Sequence, residues 1–228
     1  MALGKIEDDL ISSGDSNEIF NSISHGAGAG LSIAGMVVLI VLSSFQGDPW
    51  KIVSFSIYGA TLFLSMLAST LLHTFLAFGK YRRVFGILDH AAIYLLIAGT
   101  FAPICLVVIG GSLGIVLLSI VFGAAIALLS IKSALFSKLN RWYSIISYLA
   151  LGWAGGIVGF LSYKELGAVP LLFFLLGGLC YTLGSIIFFT GRPNPFPPVF
   201  GSHEIWHVAV LMGNSVFYFS MVFFVLPL

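Results

Sequence analysis

Apolar residues occur in this chain in long blocks, separated at short intervals by glycine, proline and charged residues. A helix needs about 20 mostly apolar residues to cross a lipid bilayer. Blocks of about that length predict seven membrane-spanning helices, which we number as segments 1 to 7. They lie at residues 24–45, 52–78, 87–109, 113–131, 144–162, 168–190 and 203–226.

The composition agrees with a membrane protein. Hydrophobic residues make up 59% of the chain and charged residues only 8%, whereas a soluble domain carries about 25% charged residues. The formal net charge of +1 excludes the strongly basic surface of a nucleic-acid-binding protein. We therefore predict an all-α seven-helix domain over residues 18–228, with membrane lipid as its partner. Residues 1–17 are rich in acidic side chains, and we expect them to form a disordered tail.

Lysine and arginine are distributed unevenly between the two sides predicted for the loops. The cytoplasmic side of a membrane protein collects these residues. Eight lie on the N-terminal side and two on the other; the eight are Lys5, Lys80, Arg82, Arg83, Lys132, Lys138, Arg141 and Arg192, and the two are Lys51 and Lys164. We therefore predict a multi-pass protein of the plasma membrane with its N-terminus in the cytoplasm and its C-terminus outside.

Segment 7 opens with two histidines, His203 and His207. Residues four apart share one face of a helix, so both imidazoles can reach one metal ion. Glu204 completes an H-E-x-x-H pattern, which in soluble metalloproteases supplies two zinc ligands and a general base. Two other interpretations stay open. The histidines could share an interfacial water, and Glu204 could stabilise the helix start, with Ser202 as the N-cap.

Four ionisable residues are predicted to lie at the same depth in the membrane. His73 lies near the end of segment 2, Asp89 lies at the start of segment 3, and the two histidines open segment 7. Ionisable side chains at membrane depth usually mark a functional site or bind a partner. Three neutral imidazoles with one open position are typical of a catalytic zinc site. Asp89 could bind a metal-bound water or orient one of the metal-ligating histidines.

Three further polar residues have both a functional and a structural interpretation. Ser69 precedes His73 by one helical turn, so its hydroxyl could bond a metal-bound water or a developing oxyanion. On its own it would more often bond a carbonyl of its own helix. His90 lies about 100° from Asp89 around the helix, so the two side chains point away from a common metal ion. This favours contact of His90 with a metal-ligating residue, or simple packing. His25 could border the site or form interfacial hydrogen bonds.

Four motifs together resemble the haemolysin III family of bacterial membrane proteins, within the progestin and adipoQ receptor superfamily and related to alkaline ceramidases. The motifs are Glu18-Ile19-Phe20-Asn21-Ser22-Ile23-Ser24-His25-Gly26, Ser69-x-x-x-His73, Leu88-Asp89-His90 and Ser202-His203-Glu204-Ile205-Trp206-His207. The resemblance covers nearly the whole chain. It implies seven helices with the N-terminus inside, and a zinc ion held by one histidine of segment 2 and two of segment 7.

By that resemblance the zinc ligands are His73, His203 and His207, and Asp89 and Ser69 lie beside the zinc-bound water. Glu204 receives no role from it. The leading hypothesis is a zinc-dependent hydrolase of a lipid amide or ester bond, in which Asp89 transfers the proton.

Other functions are also compatible with the sequence. One is a non-catalytic, zinc-stabilised receptor or regulator of the lipid or energy state of the membrane. Another is a haemolysin-type cytolytic protein, although no segment has the charged face that a water-filled pore would prefer. A third is an intramembrane protease with Glu204 as its base. The oligomeric state is left open.

Overall fold

The computed structural model describes residues 17–77, 82–136, 138–197 and 199–228. These residues form helices and turns, without a β-strand, and an isolated bridge joins Phe196 to Phe200. Seven helices among them are long and apolar enough to cross a membrane. The all-α class and the number of spans are thereby confirmed. Residues 1–16 of the predicted tail lie outside the described residues.

Eight α-helices build the seven spans of the described chain. They are α1 (Glu18–Gln46), α2 (Pro49–Ala77), α3 (Arg82–Pro103), α4 (Gly111–Ala134), α5 (Arg141–Trp153), α6 (Gly155–Leu166), α7 (Ala168–Thr190) and α8 (Ser202–Ser220). Helices α5 and α6 together form the fifth span, because a turn at Ala154 interrupts it. Turns of π-helix extend α3 to Ile109 and α8 to Val225.

The start of α1 differs most from the sequence prediction. The helix begins at Glu18 rather than at residue 24. The Asn17 side chain caps it by accepting a hydrogen bond from the Phe20 amide at 3.0 Å, and an acidic residue in the first turn is favoured by the helix dipole. Since residues three and four apart share a face, the added turns align Glu18, Asn21 and His25.

Gly28 lies where α1 contacts α2 and α8. A Cβ atom at this position would lie 2.8 Å from Leu211 Cδ2 and 3.1 Å from Met66 Sδ. At Gly30, in the same helix, a Cβ would meet nothing within 4 Å. Of these two small residues, only Gly28 therefore allows the close approach that glycines provide in membrane helix bundles.

The two ends of the bundle are built differently. One end, which we call the histidine end, carries Glu18, His73 and His203. At the opposite end Lys51 is buried, and its ammonium donates to Gln46 Oε1 at 2.7 Å and to the Leu226 carbonyl at 3.1 Å. These hydrogen bonds connect the last residues of the chain to the turn between α1 and α2.

Candidate metal centre

Three histidines meet at the histidine end of the bundle. His73 of α2 and His203 and His207 of α8 offer ligand atoms that all lie within 4.8 Å of one another. The Nε2 atoms of His73 and His207 are 3.1 Å apart. In a tetrahedral zinc site with bonds of about 2.0–2.1 Å, ligand nitrogens lie roughly 3.4 Å apart. The spacing therefore suits one ion, and this cluster could hold a metal.

Glu18 sets the orientation of His73. Its Oε2 lies 2.6 Å from His73 Nδ1. A carboxylate only accepts hydrogen bonds, so Nδ1 carries the proton and the Nε2 lone pair points at His207. His207 Nδ1 is buried and has no hydrogen-bond partner among the described residues. Two imidazole nitrogens facing each other at 3.1 Å need a shared proton or a cation between them, so the donor set fits a metal ion.

A chain of three polar side chains adjoins this cluster. Ser69 Oγ lies 2.8 Å from His25 Nδ1, so the hydroxyl of α2 bonds across to α1. Asp89 of α3 lies close enough to this hydroxyl for electrostatic interaction and lines the same cavity wall. The His25 ring packs against His207, with ring centroids 3.8 Å apart. The residues predicted to lie beside a metal-bound water thus form one connected group next to the three histidines.

Glu204 faces away from this group. It is fully buried, and its Oε2 accepts a hydrogen bond from the Gly201 amide at 2.7 Å. Its Oε1 accepts hydrogen bonds from the Asn17 amide at 2.7 Å and from Asn21 Nδ2 at 3.1 Å. Three donors occupy the carboxylate, which joins the start of α8 to the start of α1.

The predicted N-cap of this helix is wrong. Ser202 is the first residue of α8, and Gly201 is the N-cap. The Ser202 amide donates to Asn194 Oδ1 at 2.8 Å, while the Gly201 amide donates to Glu204. The free amides at the helix start therefore find partners without the Ser202 hydroxyl.

His90 lies apart from the three histidines. Its Nδ1 is 2.8 Å from the Tyr148 hydroxyl of α5. Its ring also contacts Phe136, with ring centroids 5.6 Å apart. Of the two histidines whose roles the sequence left open, His25 contacts the cluster and His90 contacts its aromatic neighbours.

A cavity of about 1020 Å³ extends from the histidine end into the bundle. Its polar lining includes His25, Ser69, His73, Asp89, His203 and His207. Apolar residues on α3, α6, α7 and α8 form most of the remaining wall; they include Ile97, Phe101, Val158, Leu172, Phe174 and Val210. An apolar cavity with a few convergent polar groups is typical of a ligand site. A molecule with a long apolar part could place its polar group at the histidines.

Glu18 and Asn21 were not predicted as site residues, although Glu18 contacts His73 and Asn21 contacts Glu204. The spacing of Glu18, Asn21 and His25 at positions i, i+3 and i+7 was the available signal. This spacing is a helical signal only if the helix begins at Glu18. Residues 18–24 are too polar to be part of an apolar membrane block, so the early start has to be inferred from Asn17 as a helix cap.

Comparison with known proteins agrees with these features. Residues 14–218 match the model of a family described as "Haemolysin-III related". The chain belongs to the haemolysin III family. It is 39% identical over 210 residues to Hemolysin-3 of Bacillus cereus, covering 92% of each chain. It is 38% identical over 207 residues to the Hemolysin-3 homolog of Bacillus subtilis (strain 168), covering 91% of this chain and 93% of the relative. The matched region includes every residue of the histidine cluster.

In this haemolysin III family protein, we expect Glu18→Ala to weaken metal binding by about 10–100-fold, as loss of the carboxylate behind a ligating histidine does elsewhere. The measurement is zinc affinity by competition with a chromophoric chelator. Glu165→Ala is the control, because Glu165 is exposed at the opposite end of the bundle. Equal affinities for the two variants would show that the bond from Glu18 to His73 does not support the metal.

Proposed function

We propose that this protein is a zinc-dependent hydrolase that cleaves an amide or ester bond of a membrane lipid, with His73, His203 and His207 as the zinc ligands. The observation that carries the proposal is the position of the Asp89–Ser69–His25 group beside three histidines, at the polar end of an apolar cavity. Structural zinc sites are closed by four protein ligands, whereas catalytic sites use three and keep one position open.

Each neighbouring side chain has a defined task in such a reaction. Bound zinc supplies a water nucleophile at neutral pH and polarises the carbonyl of the substrate. Asp89 accepts the proton of the attacking water and returns it to the leaving amine or alkoxide. Ser69 lies beside the Asp89 carboxylate, where its hydroxyl can orient that group. His25 bonds that hydroxyl and supports the ring of His207.

The cavity indicates the class of substrate. Its apolar lining suits an acyl chain, and its polar end, where the histidines lie, suits the adjoining carbonyl. Arg83, Lys138 and Arg192 are exposed at the histidine end. By the positive-inside rule this end faces the cytoplasm. The substrate is therefore a lipid of the inner leaflet of the plasma membrane.

The experiment is a hydrolysis assay with purified protein loaded with zinc in neutral detergent. The substrates are a ceramide, a second N-acyl lipid and a phospholipid, and released fatty acid is measured by mass spectrometry. We expect release from at least one class, its loss on chelation and its recovery when zinc is restored. One zinc per chain without turnover of any class would contradict the proposal and favour a zinc-stabilised receptor or regulator of membrane state.

A second candidate function is lysis of cells, which the name Hemolysin-3 of two relatives favours. A lipid hydrolase would lyse cells only while its chemistry operates, whereas a pore would not need Asp89. Lysis of erythrocytes by purified protein separates the two mechanisms. Lysis that persists in an Asp89→Asn variant would indicate a pore.

A further inference from the structure

Ser65 of α2 is a buried hydroxyl residue without a hydrogen-bond partner. Helix α2 contains seven serine and threonine residues. Four donate to a carbonyl of their own helix and two bond a side chain of α1; these six are Ser54, Ser56, Thr61, Thr70, Ser69 and Thr74. The seventh, Ser65, is 4% exposed and makes no hydrogen bond to a described residue. A buried polar group without a partner costs free energy, so its place in the fold needs an explanation.

Ser65 belongs to the interior of the bundle rather than to a helix end. Helix α2 runs from Pro49 to Ala77. About 18 Å of helix therefore separate Ser65 from the nearer end, at a rise of about 1.5 Å per residue. Serine in a membrane helix usually bonds a carbonyl of the preceding turn, as Ser56 does to the Ile52 carbonyl at 2.7 Å. Ser65 departs from that pattern.

The position of Ser65 around α2 directs its side chain to the large cavity. The residues of α2 that line this cavity are Ser65, Met66, Ser69, Leu72, His73 and Leu76. At about 100° per residue these six share one face of the helix, and Ser65 lies about 40° from Ser69 at the centre of that face. The Ser65 oxygen is not among the fully enclosed unpaired polar atoms of the described residues, whereas the Ser144 oxygen is. The Ser65 hydroxyl is therefore open to the cavity.

Ser65 lies deeper in the cavity than the polar groups of the proposed reaction. It precedes Ser69 by one helical turn, or about 6 Å, and His73 by two turns. A molecule whose reacting group lies at the histidines would thus reach Ser65 with the part that follows this group into the bundle.

The cavity wall is apolar at the level of Ser65. A Cβ atom at Gly28 would contact both Met66 and Leu211, which places the neighbouring Val210 of α8 level with Ser65. Met66 and Val210 are buried and line the cavity. A water molecule here would find few of the roughly three hydrogen bonds that hold a buried water in place. A hydroxyl group on an apolar chain fits better, because the chain packs against the wall while the hydroxyl bonds Ser65.

We propose that Ser65 binds a hydroxyl group on the acyl chain of the lipid and makes the cavity selective for hydroxylated acyl chains. The inference rests on the proposed function, which places the acyl carbonyl at the histidines. Because Ser65 lies within two helical turns of them, the hydroxyl belongs within a few carbon atoms of the carbonyl, as in an acyl chain hydroxylated at its third carbon. A site built to bond a hydroxyl rejects the chain that lacks it, since the protein group is then left unpaired.

The test compares the binding of three free fatty acids to the purified, zinc-loaded protein in neutral detergent. They are palmitate, palmitate hydroxylated at the third carbon and palmitate hydroxylated at the terminal carbon. Affinity is measured by displacement of a fluorescent fatty acid. We expect the acid hydroxylated at the third carbon to bind about 3–10-fold more tightly than the other two, the effect of one hydrogen bond. Equal binding of the two hydroxylated acids would overturn the inference.

Ser65→Ala assigns the preference to this hydroxyl. The variant should bind palmitate as the unmodified protein does and lose the preference for the hydroxyl at the third carbon. It should also unfold at the same temperature or higher, because Ser65 has no described partner to lose. Ser56→Ala is the matched control, since Ser56 lies on the same helix, bonds its own backbone and lies outside the cavity lining. It should keep the full preference.

Two results with Ser65→Ala would contradict the inference. One is an unchanged preference for the acid hydroxylated at the third carbon. The other is an equal loss of affinity for all three acids, because Ser65 would then shape the cavity instead of bonding the hydroxyl. These measurements do not require turnover. A protein that shows the preference but hydrolyses no lipid would therefore support the role of Ser65 and contradict the proposed function alone.

Discussion

Asp89→Asn is expected to slow lipid hydrolysis by orders of magnitude while leaving the metal in place. Asparagine keeps the size of the side chain but cannot accept the proton of the attacking water. General acid–base catalysis contributes about 10²–10⁴-fold, and the rate should fall by that factor. Zinc content should stay unchanged, because the nitrogens that could hold the ion belong to His73, His203 and His207. The two measurements are zinc per chain by mass spectrometry and the rate of fatty-acid release.

Glu165→Gln provides the control for Asp89→Asn, since it removes an exposed carboxylate at the opposite end of the bundle. It should retain both zinc and activity. The opposing result is an Asp89→Asn protein that keeps zinc and also keeps its function in cells, as a non-catalytic regulator would. Loss of zinc together with activity would instead show that Asp89 is itself a ligand.

His207→Gln is expected to lower zinc affinity by more than about 100-fold, beyond the effect of removing a supporting carboxylate. His207 supplies the nitrogen that faces His73 at 3.1 Å. Without it, two histidines remain for an ion that takes four ligands. The measurement is zinc affinity by chelator competition, accompanied by thermal unfolding with and without zinc. Addition of zinc should stabilise the unmodified protein but not this variant.

His90→Gln is the matched control for His207→Gln. It replaces a histidine of the same end of the bundle that contacts Tyr148 and Phe136 instead of the cluster. Its zinc affinity should equal that of the unmodified protein. If the two variants lost zinc equally, or if His207→Gln kept full affinity, the ligand set would be wrong.

The seven spans were predictable because the bilayer fixes the length of an apolar block that can cross it. The start of α1 was not, since the turns around Glu18 and Asn21 are polar and depend on capping by Asn17. The interruption of the fifth span at Ala154 was also missed. No proline marks the interruption, and the apolar pattern of the sequence continues through it.

The proximity of the three histidines was predictable from the number of helices and from the depth of each histidine in the membrane. The partners of Ser69 and Glu18 could not, because they depend on how far each helix is rotated about its axis. The hydroxyl of Ser69 had two plausible partners in the sequence, and packing against α1 directs it to His25. Lys132 was counted among loop cations, although the structure buries it within α4.

The bonds of Glu204 to Asn17 and Asn21 have a consequence for biosynthesis. They join the first helix to the last, and the histidine cluster likewise needs one residue from the second helix and two from the last. As the ribosome delivers the helices in order, the histidine cluster stays incomplete until translation reaches α8. A metal ion that needs all three histidines would therefore bind only when the nascent chain closes into its finished bundle.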